Sequence, residues 1–368
     1  MRVLHLGNGN LYGGIERFLV GLAVVQAKTP ALENHYLLSH EGRLAAELRQ
    51  AGVQPTLLEA TRLSRPWTVL RARGCLMRLV DALRPEVVVS HGPWTHAALA
   101  AGVRRSVPVV FYCHNPVTAD WLHWLAGRRR ADYVLANSEF TRRTVAALFP
   151  GVKSETVTYV LAGALSGRRR EDVLRDLSRP GEVVILQVSR FERWKGHLLL
   201  LQAAERLQDL PGWRIWFVGG AQRPREREYE AELRAYSQSR GLAGRVTFLQ
   251  ERSDVADLLA TADIFCQPNT QPEPFGLVFV EAMAAGRAIV TTEGGGPAEF
   301  LKTDFSFSVP ASPESLATAL RRVVVDRALR DSMGAAAERA YASRFDPVRA
   351  AEELGSALGR AVTGVTWA

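Results

Sequence analysis

The sequence predicts two doubly wound α/β domains in succession, each a parallel sheet covered by helices on both faces. Three observations carry that reading. The chain has 368 residues, more than one hydrophobic core normally supports. Short runs such as Val87-Val88-Val89 are apolar at consecutive positions, hence on both faces, as strands buried between two helical layers are. The alternation of such runs with longer amphipathic stretches breaks off over residues 162–181 and restarts at Val183.

In the first half, strands are expected at Arg2–Leu6, His35–Ser39, Val87–Ser90, Val107–Tyr112, Tyr133–Ala136 and Ser154–Val160. Helical periodicity fills Gly14–Ala27, Arg43–Ala51, Pro66–Leu83 and Ser138–Leu148. The segment 162–181 is polar, carries no strand pattern and reads as a connector. In the second half, strands are expected at Val183–Val188, Arg214–Val218, Val246–Leu249, Ile264–Gln267, Leu277–Val280 and Ala288–Thr291. The amphipathic stretch Pro347–Ala361 is expected to pack back on the first domain. The domains are therefore drawn as 1–170 with 347–368, and 171–346.

With 47% hydrophobic and 23% charged residues, the composition excludes a disordered or collagen-like chain. No apolar run approaches the roughly 18 residues of a membrane span. The opening MRVLHLGNGN reads as a buried strand rather than a signal peptide. Cys75, Cys113 and Cys266 are too few and scattered for a disulfide framework or zinc site, so a reducing, cytoplasmic setting is the default. Residues 1–178 hold 23 basic and 14 acidic side chains, whereas 179–368 hold 23 and 24. The whole excess of the +8 net charge thus lies in the first half, including Arg104-Arg105, Arg128-Arg129-Arg130, Arg142-Arg143 and Arg168-Arg169-Arg170. Such a bias suits an anionic acceptor or a peripheral contact with an anionic membrane. It equally suits a solvated surface in a chain with only four lysines among its 46 basic residues. Nucleic acid is disfavoured, because the basic runs lack interleaved aromatics in any reader motif.

Three glycine clusters follow strands. Gly7, Gly9, Gly13 and Gly14 stand between the first strand and first helix, where bare backbone N–H groups and a helix N-terminus can face phosphate. Their spacing misses the dinucleotide fingerprint by one residue, and no strand-end acid follows at the needed interval, so a dehydrogenase reading is weak. Gly219-Gly220 ends the strand at Arg214–Val218, and Gly294-Gly295-Gly296 follows that at Ala288–Thr291. Both lie at carboxyl ends of strands, where open α/β sheets bind ligands.

Arg190 and Lys195 come just after the strand at Val183–Val188, positioned to clamp a diphosphate and to offset charge developing on it. A lysine in a chain that otherwise uses arginine suggests a need for a compact point charge. Glu273 and Glu281 stand eight positions apart around an apolar run. Pro272, Pro274 and Gly276 deny Glu273 a regular element and project it from a loop, while strand and helix both fit Leu277–Ala285. A carboxylate holds a diol through its two acceptor oxygens. Two carboxylates beside two cations therefore describe a ligand with hydroxyls at two places and a diphosphate between them, as in a nucleotide sugar.

At these residues the chain resembles the family-4 retaining glycosyltransferases of the GT-B fold, over nearly its whole length. Glu273-Pro-Phe-Gly-Leu-Val-Phe-Val-Glu281 resembles the family's Glu-x7-Glu motif, SRFERWKGH with Arg190 and Lys195 its diphosphate-binding block, and Gly13-Gly14-Ile15-Glu16-Arg17 its N-terminal glycine loop. Ala136-Asn137-Ser138 and Ala262-Asp263-Ile264 to Pro268 resemble two further blocks. The resemblance implies two Rossmann-like domains facing a cleft, acceptor in the first and donor in the second. By the same resemblance, Glu281 binds the nucleotide ribose and Glu273 the transferred sugar. The backbone of Phe275, Gly276 and Leu277 then assists near sugar and phosphate, and Gly219 lies near the base. His114, in FYCHNP, matches a histidine near the sugar, whereas His91 in VVVSHGP is set aside. The family implies transfer with retention, without a metal or other cofactor, from a nucleotide sugar to a saccharide or lipid-linked acceptor. The chain contains no Asp-x-Asp pair, in keeping with that expectation. A sugar-nucleotide epimerase of similar fold and a non-catalytic basic surface-binding protein are the competing classes. The Glu-x7-Glu pattern argues against the first, and the intact charged set against the second. Trp94, Trp121 and Trp124 suit sugar stacking, a membrane interface or simple packing.

Overall fold

The computed structural model describes residues 1–59, 61–161, 170–174, 177 and 181–364. The chain divides into two compact units, Met1–Ala162 with Phe345–Ala368, and Gly163–Arg344. Arg168 and Arg169 of the expected basic run lie outside the described residues, as does most of the expected connector.

In the first unit the strands are β1 (Arg2–Gly7), β2 (Glu33–Leu38), β3 (Thr56–Leu57), β4 (Val87–His91), β5 (Val109–Cys113), β6 (Tyr133–Ala136) and β7 (Ser154–Thr156). The helices are α1 (Gly14–Val25), α2 (Arg43–Gln50), α3 (Pro66–Leu83), α4 (Pro93–Leu99), α5 (Trp121–Gly127) and α6 (Glu139–Arg142). The second unit holds α7 (Arg170–Leu174), β8 (Val183–Val188), α8 (His197–Glu205), β9 (Trp213–Val218), α9 (Pro224–Ser239), β10 (Val246–Phe248) and α10 (Val255–Thr261). There follow β11 (Ile264–Gln267), α11 (Leu277–Ala284), β12 (Ala288–Thr292), β13 (Ser306–Val309), α12 (Pro313–Val325) and α13 (Arg327–Arg344). The last helix, α14 (Pro347–Thr363), belongs to the first unit.

Both sheets are parallel in every described pairing, in the orders β3-β2-β1-β4-β5-β6-β7 and β10-β9-β8-β11-β12-β13. Each order reverses direction once, between β1 and β4 and between β8 and β11. These are the points where flanking loops diverge and leave room for a ligand at the carboxyl edge. The central strands are buried on both faces, as their continuous apolar sequences require. One face of the first sheet packs Leu4, Leu6, Leu37, Val88 and Val109 against Leu76 and Leu99 of the helices. In the second unit, Ile185, Ile215, Phe217 and Ile264 pack against Leu200, Leu316 and Leu320. On α14, Ala350, Ala351, Leu354, Ala357, Leu358 and Ala361 form one buried stripe, which meets α1.

Several elements depart from the sequence expectations. Leu277–Val280 is not a strand but the start of α11. Leu277, Phe279, Val280, Ala282 and Met283 are all buried, so the segment is apolar all round, a pattern in which strand and helix look alike. The helix expected over Ser138–Leu148 is broken into α6 and a 3-10 turn at Val145–Ala147. The strand expected to reach Val160 ends at Thr156. The edge strands β3 and β13 were not foreseen, being too short or too polar to show alternation.

Candidate functional site

The second unit gathers its charged set at the β8/β11 reversal. Lys195 ends a 3-10 turn after β8, and Glu273 stands in the loop after β11. Lys195 Nζ donates to Glu273 Oε2 at 2.6 Å. The same oxygen accepts from Asn269 Nδ2 at 3.0 Å. Asn269 Oδ1 in turn accepts from Gln267 Nε2 at 2.8 Å. Gln187 and Gln267, near the ends of β8 and β11, both direct their amides at the Lys195 carbonyl, at 2.8 and 3.3 Å. The Lys195 ammonium also lies 3.8 Å from the centre of the Trp194 ring, a cation–π contact. Glu273 Oε1 makes no hydrogen bond among the described residues, so that oxygen can accept from a ligand hydroxyl while Oε2 stays fixed.

The backbone of the Glu273 loop is set by the third glycine cluster. Gly295 pairs with Glu273 as an isolated parallel bridge, and Gly296 N–H donates to the Glu273 carbonyl at 2.8 Å. Gly295 has φ +77°, and a Cβ there would run into the Glu273 backbone, so only glycine permits this approach. Gly276, at φ +81°, is the left-handed residue that turns the loop into α11, and a Cβ on it would collide with the Phe279 ring. Phe275 and Leu277 on either side are buried. Glu281 lies one turn into α11, half-buried.

Arg190 also follows β8 but makes a separate pair of contacts. It donates to Glu226 Oε1 at 3.0 Å and lies 2.9 Å from Glu192 Oε1. Glu226 is itself fixed, because its Oε2 accepts from the backbone N–H groups of Gln222 and Arg223 at the start of α9. Gly219 closes β9, and its N–H donates to the Gln250 carbonyl at 2.9 Å. His197, next to Lys195, is buried, and desolvation followed by the Lys195 charge lowers it to about 3. A neutral imidazole there adds no positive charge beside the lysine.

In the first unit, the β1/β4 reversal carries a buried chain of imidazoles. His114 Nδ1 meets the Tyr159 hydroxyl, and its Nε2 lies 2.8 Å from His91 Nδ1. His91 Nε2 lies 3.0 Å from His5 Nδ1, and His5 Nε2 lies 3.0 Å from Asn34 Oδ1. Asn137 Nδ2 donates to the His114 carbonyl at 2.8 Å and to the Tyr159 hydroxyl at 3.3 Å. A neutral imidazole has one donor and one acceptor. With Asn34 Oδ1 as the terminal acceptor, each histidine carries its proton on Nε2, and Tyr159 donates to His114. Burial is the largest cause lowering all three, His5 to about 4, His114 to about 3 and His91 well below the usual range. Gly13 and Gly14 open α1, but the Gly13 N–H already donates to Glu16 Oε2 at 2.9 Å, as a cap.

The structure thus joins Lys195 to Glu273 and places Arg190, Gly219, Gly276 and Glu281 on the same unit. His114, Gly13 and Gly14 lie on the other. Sequence reasoning missed Asn269, Gln187, Gln267, Glu226, His5 and Tyr159. Gln187 and Gln267 did leave a trace, as the single amides in the apolar strands VVILQV and IFCQ. Glu226 left none, because it opens a helix rich in charge.

A doubly wound parallel sheet with charged side chains gathered after the strands at its reversal point defines the class of α/β proteins whose ligands sit at the carboxyl ends of strands. Residues 169–340 match the family model for glycosyl transferases group 1, and residues 12–163 that for glycosyltransferase family 4. The chain belongs to the family-4 glycosyltransferases, which have the GT-B fold. It is 27% identical to human alpha-1,3/1,6-mannosyltransferase ALG2 over 68% of this chain and 67% of that protein. It is 26% identical to spore coat protein SA of Bacillus subtilis (strain 168), over 60% of this chain. It is 32% identical to the D-inositol 3-phosphate glycosyltransferase of Mycobacteroides abscessus, over 63% of this chain. The matched segments span only 63% and 50% of the last two relatives' own lengths. The crystal structure of Anabaena HepE in complex with UDP-glucose superposes with a TM-score of 0.83, at 21% identity, covering 98% of this chain and 99% of that one.

Proposed function

We propose that this protein is a retaining glycosyltransferase that moves a hexose-type sugar from a UDP- or GDP-sugar to a saccharide, lipid-linked or other small hydroxyl acceptor, without a metal ion. The observation that carries this reading is the Lys195–Glu273 pair at the β8/β11 reversal, with Arg190 after the same strand. Lys195 and Arg190 supply the positive charge that the departing diphosphate needs, in place of a divalent cation. Each already has a carboxylate partner, so the cations are held in position before the ligand arrives. Glu273 Oε1 accepts from a sugar hydroxyl, and the backbone around Phe275, Gly276 and Leu277 approaches sugar and phosphate. Glu281 takes the ribose diol, and Gly219 lies beside the base. His114 contributes as a neutral hydrogen-bonding group near the sugar rather than as an acid. We assign Gly13 and Gly14, at the start of α1, to donor binding as well.

In the step itself the bond from the sugar anomeric carbon to the diphosphate oxygen breaks, and a bond to the acceptor oxygen forms on the same face. The acceptor hydroxyl proton passes to the leaving phosphate oxygen, so no protein nucleophile is needed. The solved complex of HepE with UDP-glucose supports a nucleotide-sugar donor, and the D-inositol 3-phosphate glycosyltransferase of Mycobacteroides abscessus supports a small hydroxyl-bearing acceptor. The test is a thermal-shift panel of UDP-, GDP- and ADP-sugars, followed by transfer assays with the best ligand in the presence of EDTA. A true donor raises the melting temperature by mass action. No response from the whole panel, or turnover abolished by EDTA and restored by a divalent metal, would contradict the reading.

A further inference from the structure

Two buried amides converge on one backbone carbonyl beside the charged pair. Gln187 on β8 and Gln267 on β11 are fully buried in otherwise apolar strands. Gln187 Nε2 donates to the Lys195 carbonyl at 2.8 Å, and Gln267 Nε2 donates to the same oxygen at 3.3 Å. Gln267 Nε2 also donates to Asn269 Oδ1 at 2.8 Å, and Asn269 Nδ2 donates to Glu273 Oε2 at 3.0 Å. Gln267 therefore bonds toward both members of the pair, directly to the Lys195 main chain and through Asn269 to the Glu273 carboxylate. The lysine turn is tied to the same loop a second time, because the Thr270 N–H donates to the Trp194 carbonyl at 2.7 Å. From the neighbouring strand β12, Thr291 Oγ1 donates to the Gln267 carbonyl at 2.8 Å.

The charges at its end dictate the polarity of this chain. A carboxylate facing an ammonium only accepts, so Asn269 presents Nδ2 to Glu273 and Oδ1 to Gln267. Gln267 must then present Nε2, and the Lys195 carbonyl, itself an acceptor, imposes the same orientation on both glutamines. As a consequence Gln187 Oε1 and Gln267 Oε1 are enclosed with no hydrogen-bond partner among the described residues, which is destabilising. One amide would satisfy the carbonyl, and an aliphatic residue in the other place would match its strand. Two amides on one carbonyl, with two acceptors orphaned, are not what stability alone selects. They fix the Lys195 main chain from the two strands that flank the β8/β11 reversal. We infer that Gln187 and Gln267 are positioning residues that hold the Lys195 ammonium and the Glu273 carboxylate in place for the ligand. The inference rests on the reading of that pair as part of the donor site and deepens it.

The test is steady-state kinetics of Gln187→Met and Gln267→Met, which keep length and bulk but lose the amide, beside Lys195→Ala. The substrate is the UDP-, GDP- or ADP-sugar that most raises the melting temperature, and the signal is release of the nucleoside diphosphate. Each methionine variant is expected to lower kcat by about 10- to 100-fold while the donor KM changes by less than about twofold, because misplacing a group that acts in the step lowers turnover more than binding. The melting temperature of Gln187→Met is expected to equal or exceed that of the unmodified chain, since one orphaned acceptor is gone and Gln267 still serves the carbonyl. Added to Lys195→Ala, Gln187→Met should lower kcat by less than about threefold further, as a residue acting through Lys195 must. Methionine variants with unchanged kcat, or losses that add in full to that of Lys195→Ala, would overturn the inference. So would failure of both variants to fold, which would show that the amides serve the fold alone. Full turnover by Lys195→Ala would sink the donor-site reading and the inference with it. That result is distinct from an impaired Lys195→Ala beside unimpaired methionine variants, which sinks the inference alone.

Discussion

Lys195 and Glu273, 78 positions apart in the chain, meet at 2.6 Å across the point where the second sheet reverses its strand order. The pair is largely enclosed, with side chains 15% and 11% exposed. An enclosed ion pair contributes little net stability, because desolvation offsets most of the attraction, yet removing one partner leaves a costly unpaired charge. What the arrangement secures is position. The ammonium keeps two further N–H donors, and the carboxylate one further oxygen, both fixed before a ligand binds.

Glu273→Gln keeps the shape but removes the charge. The expected outcome is a kcat lower by about 10²-fold and a stability loss of about 1–3 kcal/mol, with donor binding retained. Steady-state kinetics and denaturant titration on the same preparation check both parts.

Asn269 holds Glu273 without reaching the ligand in this reading, so it acts as a positioning residue. Asn269→Ala is expected to lower kcat moderately while leaving the acceptor KM near its original value. Asn269→Asp is expected to be worse than alanine, because it sets a second carboxylate against Glu273. An aspartate variant as active as the parent would refute the role.

The imidazole chain makes the first unit acid-sensitive. Its histidines are neutral in the fold, with His5 at about 4 and His114 at about 3, against 6.5 for the free side chain. The unfolded chain therefore binds more protons as pH falls below about 6.5. Stability is complete above that pH and is lost progressively down to the folded values, by up to about 1.4 kcal/mol per histidine per pH unit. Melting temperature measured from pH 7.5 to 4 should fall steeply below 6.5. His91→Gln should flatten that slope even if it lowers the starting value.

The buried stripe of α14 ties the end of the chain to the first unit. Leu354 is fully buried, and Leu354→Ala is expected to cost about 2–4 kcal/mol by leaving a cavity. Differential scanning calorimetry checks this, and an unchanged melting profile would show that the helix does not hold the unit together.

Much of this architecture was legible in the residues. The central strands are apolar on both faces, and a stretch such as Val87–Ser90 cannot be mistaken for surface, so the doubly wound sheets could be read directly. Leu277–Ala284 could not, because a segment apolar all round has no period to distinguish helix from strand. Lys195 and Glu273 stood out through rarity and through the proline and glycine frame. Their contact is tertiary, and so is Gly295 lying on the Glu273 backbone, which sequence presents only as a glycine near another strand end. His91 was set aside because a histidine at a strand end resembles any buried polar residue until His5 and His114 are seen on either side of it.

The central claim is that Lys195 serves the departing diphosphate. It is tested most directly by the turnover of Lys195→Ala against the unmodified chain, with the nucleotide sugar that stabilises the protein most. The account predicts a loss of at least about 100-fold in kcat with the fold intact by circular dichroism. Full turnover by a correctly folded Lys195→Ala protein would contradict it.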